Sequence, residues 1–396
     1  MRPFRDDILR LKSNGIALVA YEGLGELDLI PLWFGETDLT TPAFIRNAAK
    51  QALDEGKTFY VHGRGIAPLR KEIAAFHQRM IRADISLDRI TVPGAAMLAV
   101  TTALQCVVGK GSNVVIVSPI WPNIFQAAEI AGANVKLVPL RANWSLDHPR
   151  WQLDLDRLFA ACDQSTTAIF ISSPGNPTGW TMTREEQLKV LAFARARRIA
   201  IISDEVYGTL VFDERKHAPS FLEIAGPDDP VFVINSFSKP WAMTGWRIGW
   251  LVHPRSLDEP MNVLSVANNT GATTFAQYGA LAALSPEGDR FLGEMRHRCA
   301  AGRVVVQEFI ESGNRVRWVP PEGAFYGFLH IDGLTNSLAF CKGLVHSARV
   351  GVAPGSAFGA EGDPENEAFV RICFAQDPAL LREGLARLER AVRDLD

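Results

Sequence analysis

The apolar run Val231-Phe232-Val233-Ile234, followed at once by Asn235-Ser236-Phe237-Ser238-Lys239, constrains this chain more than any other stretch. Four apolar residues without alternation suit a strand buried on both faces, and such strands belong to parallel sheets covered by helices. Lys239 then stands just past a strand end, where open α/β sheets gather their chemistry. Similar runs recur at Ile90-Thr91-Val92, Val114 to Val117, Ala168 to Ile171 and Ala200 to Ile202, each running into a turn or polar residues. The expected fold class is α/β.

Composition narrows the function. A chain of 396 residues with 47% hydrophobic and 21% charged residues is long enough for two domains around a large core. A net charge of -3 without a basic stripe argues against nucleic acid and membrane surfaces as partners, which leaves small molecules. The five cysteines are scattered, form no Cys-x-x-Cys pair and suit free thiols in a reducing compartment. Asp6 and Asp7 lie where a signal peptide would have its apolar core, so the expected location is the cytoplasm.

Lys239 is flanked by Phe237, Trp241, Met243 and Trp246. Poor hydration lowers an ammonium pKa toward the neutral amine, which forms an imine with an aldehyde. Arg247, eight residues on, offers a fixed cation for phosphate or carboxylate, and Ser236 and Ser238 add hydroxyl donors. A lysine for the aldehyde with an arginine and hydroxyls for a phosphate fits pyridoxal 5′-phosphate (PLP). Alone, Ser-x-Ser-Lys also describes a snorkelling surface lysine near a turn. The order Ser-Phe-Ser-Lys, then Gly-Trp-Arg-Ile-Gly, closely resembles the cofactor-lysine signature of the class I/II aminotransferases, the fold-type I PLP enzymes.

That resemblance implies a large domain with a mostly parallel seven-stranded sheet flanked by helices, and a smaller α+β domain made from both chain ends. The expected boundaries are 1–44 and 286–396 for the small domain and 45–285 for the PLP-binding domain. Near the N-terminus, Leu29 to Asp38 reads as a short strand and a glycine turn, and the resemblance puts Gly35 against the substrate's carboxylate side. Thr41-Pro42 then opens a helix, with Thr41 as its cap. The pattern Tyr60-Val61-His62-Gly63-Arg64-Gly65-Ile66 to Leu69-Arg70 resembles a family motif whose tyrosine reaches the neighbouring subunit's phosphate, which implies a homodimer. Arg64 departs from the small residue common there. Read by itself, Tyr60 could equally pack on its own helix.

Gly94-Ala95-Ala96 turns from strand to helix, and the amides at a helix N-terminus bind phosphate well; the resemblance assigns this to Ala95 and Ala96. Trp121, just past a strand, is matched to the position that stacks on the pyridine ring, with core packing as the alternative. Asn176 in Asn176-Pro177-Thr178-Gly179 is matched to a donor for the cofactor's phenolic oxygen and to substrate contact, and Tyr207 to a second donor. Asp204 is the carboxylate expected at the pyridine nitrogen, where it keeps the ring protonated, while Glu205 reads as a solvated or structural acid. Thr183 and Glu186 form a capping box. Thr270 matches a segment that approaches the partner's phosphate, although hydroxyl-rich caps look alike. Arg371, one cation in the apolar strand Phe369 to Phe374, costs free energy unless paired, and the resemblance pairs it with the substrate α-carboxylate.

The implied activity is transfer of an amino group from an α-amino acid to a 2-oxo acid through a Lys239 imine, with no metal. A PLP lyase cleaving a cysteine-like substrate uses the same residues, and a non-catalytic PLP-binding regulatory domain is a further alternative. Relatives that act on dicarboxylates supply a second cation at positions matched here to Ala96 and Val266. Either the substrate side chain is neutral, lined by Trp33, Phe325 and Tyr326, or Arg64 serves from the neighbouring subunit.

Overall fold

The computed structural model describes residues 3–313, 315–360 and 362–395. Each apolar run becomes a strand because its alternate residues bury into two different cores. The large sheet contains β1 (Ile90–Gly94), β2 (Asn113–Ser118), β3 (Asn134–Pro139), β4 (Thr166–Ser172), β5 (Ala200–Asp204), β6 (Val231–Ser236) and β7 (Gly249–Val252). Val114, Ile116, Phe170, Ile202 and Phe232 face one core, while Val115, Val117, Ile169, Ile201 and Val233 face the other. A period of two with both faces buried explains why the sequence shows runs and not polar alternation.

The strand order is β1-β7-β6-β5-β4-β2-β3. The pairs β2–β3, β2–β4, β4–β5 and β5–β6 are parallel, whereas β7 is antiparallel to both β6 and β1. Helices supply the crossovers, among them Ala96–Val107 and Arg184–Arg197. The capping box holds at Arg184–Arg197: Thr183 Oγ1 accepts from the Glu186 amide at 3.2 Å, and the Glu186 carboxylate accepts from the Thr183 amide at 2.8 Å. The helix expected at Thr41-Pro42 spans Ala43–Asp54, one residue later at its start. Thr41 does not cap it. Its hydroxyl donates to Ala242 O at 2.5 Å and accepts from Trp246 Nε1 at 3.0 Å, because burial against the turn after Lys239 offers stronger partners than the helix end.

A smaller antiparallel sheet, in the order β8-β9-β11-β10, comprises β8 (Val316–Trp318), β9 (Tyr326–Ile331), β10 (Ala353–Pro354) and β11 (Phe369–Cys373). The helix Pro286–Glu311 leads into it. Ile30–Pro31 pairs in parallel with Val350–Gly351, and the helix Gly15–Glu22 packs against the helix Ser337–Ser347. Both chain ends thus meet in one unit, and its strand β11 faces the carboxyl ends of β4, β5 and β6.

Candidate active site

A cavity of about 430 Å³ opens where those strand ends meet the smaller sheet. Neighbouring parallel strands bring their last residues to one level: Ser172 of β4 is registered with Asp204 of β5, which lies beside Ile234 of β6. Gly35, Ala96, Trp121, Asn176, Asp204, Tyr207, Ser236, Ser238, Lys239, Arg247 and Arg371 all line the cavity. Residues dispersed over more than three hundred positions of sequence therefore share one chamber.

Lys239 donates from Nζ to Gly35 O at 2.5 Å, and desolvation pushes its pKa down to about 8, partly opposed by Cys373. The direction and its cause, loss of hydration, match the sequence reading, but the flanking residues do not face the chamber. Phe237 and Trp241 pack with Phe76 and Trp250 in the core behind, Met243 is buried with them, and Trp246 is bonded to Thr41, so none of the four lines the cavity. The lysine is enclosed from the opposite side, by Gly35 and Tyr326. A Cβ at Gly35 would collide with the Tyr326 hydroxyl, so only glycine lets the chain pass this close.

Asp204 is buried, and loss of hydration pushes its carboxyl up to about 6. It accepts from the Val206 amide at 3.3 Å and from Ser172 Oγ at a long 3.5 Å, with no cation in ion-pair contact among the described residues. Glu205 is not solvated: 1% exposed, it accepts from Ser203 Oγ at 3.0 Å and from the Phe221 amide at 3.2 Å, and burial pushes it up to about 7. Its place one residue past Asp204 turns it away from the cavity, as strand alternation requires.

Arg371 sits in β11 and is 2% exposed. Nη1 donates to Asn176 Oδ1 at 2.9 Å, Nη2 donates to Trp33 O, and Nε has no partner. The guanidinium lies between Tyr326 and Phe358, 4.5 and 5.0 Å from the ring centroids. Among the described residues it pairs with no carboxylate, so a structural salt bridge does not account for it. Tyr207 and Tyr326 share a hydroxyl contact of 2.7 Å, and burial raises both pKa values.

The helix Ala96–Val107 starts at the cavity. Its cap, Ala95, has no side-chain acceptor, and Ala96 and Met97 line the chamber with Ser236, Ser238 and Arg247. A Cβ on Gly249 would lie 2.6 Å from Asn235 O and 3.1 Å from Ala96 N, so β7 needs a glycine for the helix start to press against it.

Tyr60 and Thr270 lie outside this cavity. Tyr60 is 89% exposed, and the two loops touch, Thr274 Oγ1 donating to Phe59 O at 2.9 Å. Arg64 does not reach outward. It is 8% exposed, ion-paired with Asp258 and bonded to Asp88 O at 3.0 Å, because a guanidinium on a glycine loop finds both acceptors within its own chain. Trp33 and Phe325 are core residues rather than lining. Of the three aromatics expected around the substrate, Tyr326 alone lines the chamber. The sequence reading missed the helix Gly15–Glu22, whose Ile16, Ala17, Ala20 and Tyr21 form a wall; Asn14, accepting from the Ala17 amide at 2.9 Å, was its cap signal.

A family model described as aminotransferase class I and II matches residues 28–388. The chain belongs to this aminotransferase family. It is 34% identical over 378 residues to a probable aspartate/prephenate aminotransferase of Aquifex aeolicus, covering 93% of this chain and 92% of the relative. To aromatic-amino-acid aminotransferase 2 of Thermococcus litoralis it is 33% identical, covering 92% of each. The solved aspartate aminotransferase of Thermotoga maritima superposes with a TM-score of 0.87 at 29% identity, covering 99% of this chain and all of that one. The chain is a PLP-dependent amino-acid aminotransferase acting on amino acids and 2-oxo acids. The relatives favour amino transfer over C–S cleavage or a regulatory role.

The cavity fits the cofactor part by part. A buried acid lacking a cation matches a protonated ring nitrogen. An uncapped helix start beside two serines and an arginine matches a phosphate. An amine lowered to about 8 matches an aldehyde.

Proposed function

We propose that Lys239 is the catalytic base of amino transfer in this cavity and that Arg371 grips the substrate α-carboxylate. The observation that carries this reading is Arg371 itself, buried, held from behind by Asn176 and Trp33, and without a carboxylate, in the same chamber as the Lys239 amine. PLP, when bound, supplies an aldehyde that captures the amino group and a ring that withdraws electrons from the substrate Cα.

Lys239 would hold that aldehyde between turnovers, and its Nζ would take the proton from the substrate Cα. Asp204 keeps a proton on the ring nitrogen. The carbonyl of Asn176 is engaged by Arg371, which leaves its N–H groups, with the Tyr207 hydroxyl, to donate to the phenolic oxygen and to substrate. Amides of Ala95 and Ala96, with Ser236, Ser238 and Arg247, would hold the phosphate, and Trp121 would pack on the ring. The Gly35 backbone borders the carboxylate end.

Exposed Tyr60, with Thr270 on the adjoining loop, supports a homodimer in which both reach the neighbouring subunit's site. The strand pairing of Ile30–Pro31 with Val350–Gly351 supports a small domain of residues 1–44 and 286–396 around a PLP-binding domain of 45–285. Cytoplasmic location is supported by five free cysteines, and no helix among the described residues is long and apolar enough to cross a membrane. In the test, Lys239→Ala should lose about 10⁴-fold in kcat, the upper end for a general base, along with the visible absorbance of the reconstituted enzyme. Retention of both would refute the assignment.

A further inference from the structure

We infer that the substrate side chain is apolar and bears no carboxylate, and that the inner face of the helix Gly15–Glu22 selects it. The inference rests on Arg371 as the α-carboxylate anchor. Among the described residues lining the cavity the cations are Lys239, Arg247 and Arg371, and each has a task. A second carboxylate on the substrate would be buried without a partner, which costs roughly a hundredfold or more in affinity. The positions that could have offered a further cation do not: Ala96 and Val266 are uncharged, and Arg64 is held by Asp258.

The wall opposite is mainly apolar, with Asn14 and Asn123 as its polar members. Ile16, Ala17 and Ala20 line it together with Val100 and Ile124, and Tyr21 adds an aromatic edge. Apolar lining of this kind gains from desolvating a hydrocarbon or aromatic side chain and gives a substrate carboxylate no cationic partner. Glu36 borders the same cavity and accepts from the Thr244 hydroxyl at 2.9 Å. Its charge repels a substrate carboxylate. The wall is anchored from outside, where Glu22 pairs with Lys342 at 2.7 Å and Glu26 pairs with Arg349. The helix is thereby tied to the smaller domain, the same body that carries Arg371.

Relatives named for aspartate and for aromatic amino acids match this chain about equally well, so the lining and not the likeness decides. On the holoenzyme, kcat/KM for phenylalanine and leucine should exceed that for aspartate by roughly a hundredfold. Aspartate as the equal or better donor would overturn the inference. Ala17→Lys, on the half-buried part of the wall, should shift the aspartate-to-leucine ratio toward aspartate by about tenfold or more, the scale of one charge-assisted contact. Should that protein fail to fold, Tyr21→Lys at the 65% exposed edge makes the same test. A ratio unmoved in a folded variant would remove the helix from the assignment. Binding gives a readout independent of turnover: 3-phenylpropionate should perturb the visible band at concentrations at least about tenfold lower than succinate, and the reverse order would also overturn the inference. Failure of the anchor reading looks different, because Arg371→Lys would then leave every donor unaffected.

Discussion

The floor and the wall of this cavity are built by opposite means. The floor collects charged and polar groups: Asp204 at a strand end, Lys239 just past one and, across from them, Arg371 in the middle of β11, on sheets whose registers bury the neighbouring strand residues. The wall is one short helix with small apolar residues inside and ion pairs outside. Rigid strand ends hold reacting atoms in place, whereas a helix fixed at its outer face can change its inner residues without disturbing them. On the reading proposed above, the floor sets which reaction occurs, and the wall sets which substrate enters.

Three perturbations can break that division. The largest effect belongs to the floor: Arg371→Lys replaces a planar fork with a point charge and should lower kcat/KM by about a hundredfold, equally for apolar and acidic donors. Donor-dependent losses in steady-state kinetics would show that floor and wall are not separate. Next, rebinding of PLP to the apoprotein should be governed by Lys239. Its pKa is lowered to about 8, so below that value the amine is protonated and unreactive. Stopped-flow rates should rise about tenfold per pH unit up to roughly pH 8 and then level off; a rate independent of pH would contradict this. The smallest effect belongs to the wall. Glu22→Gln removes the pair with Lys342 and should raise KM by roughly two- to fivefold, the scale of an exposed ion pair. Its PLP rebinding rate should match wild type, and a slowed rate would tie the helix to the floor.

Arg64→Ala serves as the control for both regions. It removes a buried partner of Asp258 and of Asp88 O, so thermal unfolding should shift downward by about 1–3 kcal/mol of lost stability. The ratio of aspartate to phenylalanine activity should stay as in wild type. A changed ratio would restore Arg64 to the substrate's surroundings.

The parts that were legible in the sequence are those in which one local cause acts alone. Buried parallel strands must be apolar on both faces, so β2, β4, β5 and β6 announced themselves, and a polar residue past a strand end, such as Asp204 or Lys239, can only face the rim. Thr183 with Glu186 could be read because a capping box closes within four residues. The helix Gly15–Glu22 carried its own signal in Asn14, yet what it covers depends on contacts three hundred residues away, with Ser337–Ser347. For the same reason Trp33 and Phe325 were expected to line the cavity and lie in the core, and the aromatics beside Lys239 in sequence turn into the packing behind it.

By itself the sequence determined an α/β sheet, the residue types expected at a PLP site and their order along the chain, because hydrophobic period and motif chemistry are local properties. Tertiary structure alone decided that Arg371 has no carboxylate partner among the described residues, that Arg64 is spent on Asp258, and that a helix with apolar inner residues completes the cavity. Each of these is a question of which partner a side chain finds, and burial settles that only when distant segments have packed together.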